Sequence, residues 1–128
     1  MILATNLVSA ADWPQWMGPN RNDYWTETGI IEKFPESGLE FLWRMPVGGG
    51  FAGPAVASGR VYVTDYLRSS GDDRPKPTKR NDLQGKERVL CLNAKTGEEI
   101  WKHDCDYTIS YPAGPRCTPT VDGDRVYT

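Results

Sequence analysis

An all-β fold is predicted for this chain by three features of its sequence. Its 128 residues contain 13 Gly and 10 Pro, and both types break helix interiors. Five Trp, six Tyr and three Phe supply large side chains suited to a pleated, half-buried surface. A segment made of two short β-like runs around a glycine-containing reversal occurs twice. The length suits one domain or a piece of a larger one. Because Gly and Pro are spread along the chain, wholesale disorder is a poor reading.

Charge and hydropathy exclude further classes. Fifteen Lys+Arg against 17 Asp+Glu leave a formal net charge of −2 at pH 7. Such a balance offers no basic face to a phosphate backbone, so nucleic acid is not an expected partner. No apolar run reaches bilayer length, and no transmembrane segment is expected.

Taken in order, residues 1–11 are apolar, and Val8-Ser9-Ala10 ends in the small-x-small pattern accepted by signal peptidase. We read them as the remnant of an export signal lacking its basic start, which implies a periplasmic or extracellular protein. The alternative is an apolar terminus packed on the domain. Residues 12–128 then form the N-terminal part of the folded domain. Phe41-Leu42-Trp43-Arg44 reads as a strand ending in Trp. The run Gly48-Gly49-Gly50 precedes no Lys-Ser/Thr pair, so it is not a phosphate loop.

The duplicated segment is Gly53 to Thr64 and again Cys117 to Thr128. Pro54 and Pro119 stand 65 residues apart, as do Val61 and Val126, and Tyr62 and Tyr127. The turns read as Ser58-Gly59 against Asp122-Gly123-Asp124, a difference of one residue. Each copy has hairpin chemistry. Between them lies a polar tract, residues 68–86, that includes Asp72, Asp73, Lys76, Lys79 and Arg80; it reads as a solvated insertion loop. Arg88–Asn93 reads as a strand, Ala94–Gly97 as a turn, and Glu99–Lys102 as a second strand ending in Trp, at Trp101. The chain stops at Asp124–Thr128 within a strand pattern, and we read it as a fragment.

Without the insertion the period approaches the ~40–45 residues of a four-stranded propeller blade. The predicted architecture is therefore a partial β-propeller of about one and a half four-stranded blades. Trp43 and Trp101 are the expected plates between adjacent blades. An immunoglobulin-like sandwich also has short strands but gives no reason for the duplication.

Cys91-Leu92-Asn93-Ala94-Lys95-Thr96-Gly97-Glu98-Glu99-Ile100-Trp101 resembles the tryptophan-docking repeat of quinoprotein-type propellers. Thr96, Gly97 and Trp101 match its pattern, whereas Cys91, Asn93 and Glu98 stand where Ala, Asp and Lys are usual. Asp12-Trp13-Pro14-Gln15-Trp16-Met17-Gly18-Pro19-Asn20-Arg21 resembles the opening of exported PQQ-binding-like β-propeller proteins of planctomycete-type bacteria, in which Met17 is commonly Arg. The resemblance implies an eight-bladed propeller, with Trp43, Gly97 and Trp101 as docking residues. It implies a binding or scaffold module with an unknown protein or small-molecule ligand. Two alternatives follow from it: a pyrroloquinoline-quinone dehydrogenase of alcohols or sugars, and a scaffold of the outer-membrane assembly type. Only the dehydrogenase would call for the quinone with calcium; no catalytic, cofactor-binding or metal residue is assigned in this segment. Ca²⁺ would need six to eight oxygens, and the sequence has neither an acidic cluster of ligand spacing nor adjacent cysteines.

Other candidate residues carry two readings each. Cys105 and Cys117, 12 apart, would close a loop by a disulfide in an exported protein, or would serve with Cys91 as small apolar residues. His103 is the only histidine and makes no zinc site with cysteines so spaced. The loop holding Tyr107, Tyr111 and Arg116 is a candidate channel-mouth surface, or a cover for the blade edge. Trp13 and Trp16 offer indole faces to a sugar, or pin the N-terminal strand to the last blade.

Overall fold

The structure is a computed structural model, and it describes residues 10–74, 78–110 and 114–128. Six strands account for its regular structure: β1 (Ala55–Ala57), β2 (Arg60–Ser70), β3 (Leu83–Asn93), β4 (Glu99–Ile109), β5 (Thr120–Asp122) and β6 (Arg125–Tyr127). β1 to β4 form one antiparallel sheet in sequential order, and β5 pairs with β6. Among the described residues there is no helix.

The duplication is visible in the register. Ala55 faces Tyr62 and Ala57 faces Arg60; Thr120 faces Tyr127 and Asp122 faces Arg125. Both hairpins therefore close with two central residues at a constant offset, and the expected one-residue difference is absent. Ser58 and Gly59 both have positive φ, 51° and 71°, the requirement of a type I′ turn whose twist suits the flanking strands.

Three strand limits differ from expectation. The polar tract does not form one loop over 68–86: Arg68 pairs with Gly85 and Ser70 with Gln84, so the β2–β3 hairpin runs into it. Leu83 provides the reason, being buried in a cluster with Tyr66 and Ile109. Burying such side chains is worth about 2 kcal/mol each, enough to extend the ladder on both sides. Lys76 lies outside the described residues. Trp101 lies near the start of β4 instead of ending a strand. Phe41–Arg44 forms no strand, because no described strand pairs with it.

One cross-strand row organises the core. Ala55 faces Tyr62, Tyr62 faces Cys91, and Cys91 faces Trp101. Directly paired residues share a face of the sheet, so the row crosses all four strands. Val121 and Val126 of the second hairpin pack on its buried members. The second hairpin thus lies against a face of the first sheet. Tyr24, Trp25, Ile30, Ile31, Phe34, Phe41 and Leu42 are exposed.

Candidate functional site

The turn between β3 and β4 holds Trp43. Asn93 suits the turn because its carboxamide oxygen accepts bonds from the amides of Lys95 and Thr96, at 2.9 and 3.2 Å. Gly97 has φ +74°, and an added Cβ would come within 2.6 Å of the Trp43 ring, so only glycine lets the indole lie there. The Trp43 indole N–H donates to the Ala94 carbonyl at 2.9 Å. Trp43 and Gly97 are thereby in contact. Trp101 lies elsewhere, its ring centroid 6.1 Å from that of Tyr62.

The opening segment joins the two hairpins. Trp13 exchanges two backbone bonds with Val56 of β1, and the Pro14 carbonyl accepts from Val121 of β5. The Asp12 carboxylate accepts from the Ser58 amide. Proline suits position 14 because only its carbonyl is needed. The partner of this segment is hence the first and second hairpins.

Residues 15–23 then fold into a tight loop. Met17, Gly18, Arg21 and Asp23 all have positive φ, rare for the three that carry a Cβ. The Gly18 amide donates to Gln15, that of Arg21 to Gly18 and that of Asp23 to Met17. Gln15 also accepts from Arg21 Nε at 2.9 Å and donates to the Pro19 carbonyl. The Trp13 ring lies where a Gly18 Cβ would sit. Trp16 projects from this frame 69% exposed. Two cavities adjoin it, one of about 360 Å³ lined also by Met17, Asp23 and Thr118, the other of about 230 Å³ lined also by Gln15, Arg21 and Thr120.

A buried ion pair supports the sheet close to the glycine run. Asp65 is 1% exposed; its carboxylate accepts Arg88 Nε at 2.8 Å and Nη2 at 2.5 Å, and also the Gly48 amide. The bonded carboxylate holds the guanidinium of Arg88 above its ordinary pKa. Gly49 pairs with Tyr66, and the amides of Phe51 and Ala52 donate to Pro115. A Cβ at Gly48 would collide with the Tyr66 carbonyl, so position 48 is glycine for close approach. This pair escaped the sequence reading. An Asp inside the apolar run Val61–Leu67 was the available signal, since a charge there demands a partner.

The remaining candidates are dispersed. Tyr107 belongs to β4, not to a loop, and its carbonyl contacts the Tyr66 hydroxyl at 2.7 Å. Tyr111 lies outside the described residues. The Arg116 guanidinium sits 5.5 Å from the Phe51 ring centroid. Cys91, Cys105 and Cys117 are free thiols in the structure, the first buried and the other two exposed; of the two readings, it has the unbridged one. Burial pushes the Cys91 thiol above its ordinary pKa, which makes it a packing residue.

Residues 27–128 match the family model of PQQ-type repeats described as "Outer membrane protein assembly factor BamB". The chain belongs to the PQQ-like repeat family. Within that family the four-stranded sheet and the added hairpin are part of a β-propeller. Searches of curated proteins and of solved structures each gave no significant match. The family name raises the question of a quinone and its calcium. Among the described residues no three His, Cys, Asp or Glu side chains converge as a metal site, and no two cysteines are adjacent.

Proposed function

We propose that the chain carries blades of an extracytoplasmic PQQ-like propeller that works as a binding or scaffold module. The observation that carries this reading is the blade seam. A complete four-stranded sheet receives Trp43 on its 93–98 turn, packs a second hairpin on its face, and is tied to that hairpin by Trp13-Pro14. Such a frame holds loops rigidly and leaves ligand choice to them. The Trp43–Gly97 contact supports their role as a docking pair between blades. Val8-Ser9-Ala10 supports export. The ligand class at the level of the fold is a protein or a small molecule.

A second reading, a scaffold in outer-membrane protein assembly, is favoured by the description of the matching family model. One experiment separates these readings from the redox alternative, and a second separates them from each other. The whole protein, incubated with Ca²⁺, pyrroloquinoline quinone and an electron-accepting dye, is expected to show no dye reduction with alcohols or sugars; turnover would overturn the module reading. Deleting the gene should leave outer-membrane barrel proteins at normal levels under the first reading and lower them under the second.

A further inference from the structure

Trp16 is an exposed aromatic side chain on a loop fixed by its own hydrogen bonds. The backbone around it is already committed: the Trp13 amide and carbonyl to Val56, the Pro14 carbonyl to Val121, and the Gln15, Met17 and Gly18 carbonyls to amides within the loop. An extended peptide recognised by added strand pairing would find no ladder there. Recognition at this place must come from side chains.

Those side chains set one exposed indole among polar groups. The indole of Trp16, 69% exposed, lies between two cavities of about 360 and 230 Å³. Their lining brings an amide (Gln15), a guanidinium (Arg21), a carboxylate (Asp23) and two hydroxyls (Thr118, Thr120) around the ring. Arg21 and Asp23 balance in charge, so the margin selects neither an anion nor a cation. A plain hydrocarbon would use the indole face alone and gain nothing from this polar margin. A ligand that satisfies both parts has an apolar face of C–H groups and a periphery of uncharged hydroxyls, which is the chemistry of a pyranose ring. The loop is also pre-formed, with four positive-φ residues between Met17 and Asp23 and the Gln15–Arg21 bond. Little order has to be imposed when a ligand arrives.

We propose that the 15–23 loop is a saccharide-binding subsite in which Trp16 stacks on a neutral sugar ring and Arg21 and Asp23 bond its hydroxyls. This deepens the binding-module reading and rests on it. The whole protein, labelled with ¹⁵N at its tryptophans, would be titrated with uncharged cello-, malto- and chito-oligosaccharides and observed through the indole N–H signals. One sugar series is expected to give a saturable shift of the Trp16 signal. Trp16→Ala should weaken binding about tenfold or more, while Trp25→Ala leaves it unchanged. Arg21→Lys keeps the charge and loses the planar fork; it should weaken binding several-fold without altering the Trp43 and Trp101 indole signals, which report folding. No shift with any series at millimolar sugar, or an affinity left undiminished by Trp16→Ala when read from the Trp13 indole signal, would each overturn the proposal. Such a failure leaves the dye-reduction result, and with it the module reading, untouched.

Discussion

Asp65 shows how much one side chain can carry. Buried at 1% exposure, it is bonded by the guanidinium of Arg88 and by the Gly48 amide. The pair costs desolvation to form, but breaking it strands a buried cation. Asp65→Ala should therefore destabilise the protein by about 3–5 kcal/mol, read as a lower urea midpoint; a loss under about 1 kcal/mol would contradict this. Tyr66 gives the pH dependence. Burial is the first cause that raises its pKa above the ordinary 10.0, with Asp82 and Glu87 adding to it. A raised acid pKa means the folded state holds the proton more tightly than the unfolded chain. This contribution is present below pH 10.0 and is lost as pH rises through the folded value. The hydroxyl lies 2.8 Å from the Leu83 carbonyl and 2.7 Å from that of Tyr107, and a phenolate donates to neither. Stability followed by urea midpoint should fall above pH 10.0, and Tyr66→Phe should flatten that fall.

At the scale of elements, the first hairpin turn offers a direct check. Ser58 has φ +51°, which costs a residue with a Cβ more than it costs Asn. Ser58→Asn should stabilise by roughly 0.5 kcal/mol, seen as a raised urea midpoint with an unchanged slope. The strands order the thiols as well: Cys105 and Cys117 should alkylate at once without a reducing agent, and Cys91, within β3, only on unfolding. Mass spectrometry that found Cys105 joined to Cys117 would contradict the structure. Elements whose cause is local were legible in the sequence. The hairpins, the Asn93–Gly97 turn and the strand over Arg88–Asn93 follow from turn chemistry and β-branched runs. The extended β2–β3 hairpin was hidden because its polar ladder depends on Leu83 meeting Tyr66 and Ile109, a contact no local pattern displays. Trp43, Gly97 and Trp101 were legible as residues of interest, but the contact of Trp43 with Gly97 and the Asp65–Arg88 pair were not, since contacts across strands are set by tertiary packing.

Across the whole molecule, the opening segment and the repeated hairpin act together. Trp13-Pro14 links β1 to β5, Val121 and Val126 cover the row from Ala55 to Cys91, and Trp43 rests on the far turn of the same sheet. The apolar residues exposed between Tyr24 and Phe51 are surface that a sheet-by-sheet ring would cover. The sequence carried this architecture in its 65-residue offset; the sites remained less legible because propeller loops vary independently of the frame. The most direct measurement is an experimental structure of the whole protein. The account predicts that β5 and β6 form the inner hairpin of a further four-stranded sheet, set beside the first around a common axis, with Trp43 on Gly97 at a seam. A closed two-layer sandwich in which the twin hairpins belong to one pair of facing sheets would contradict it.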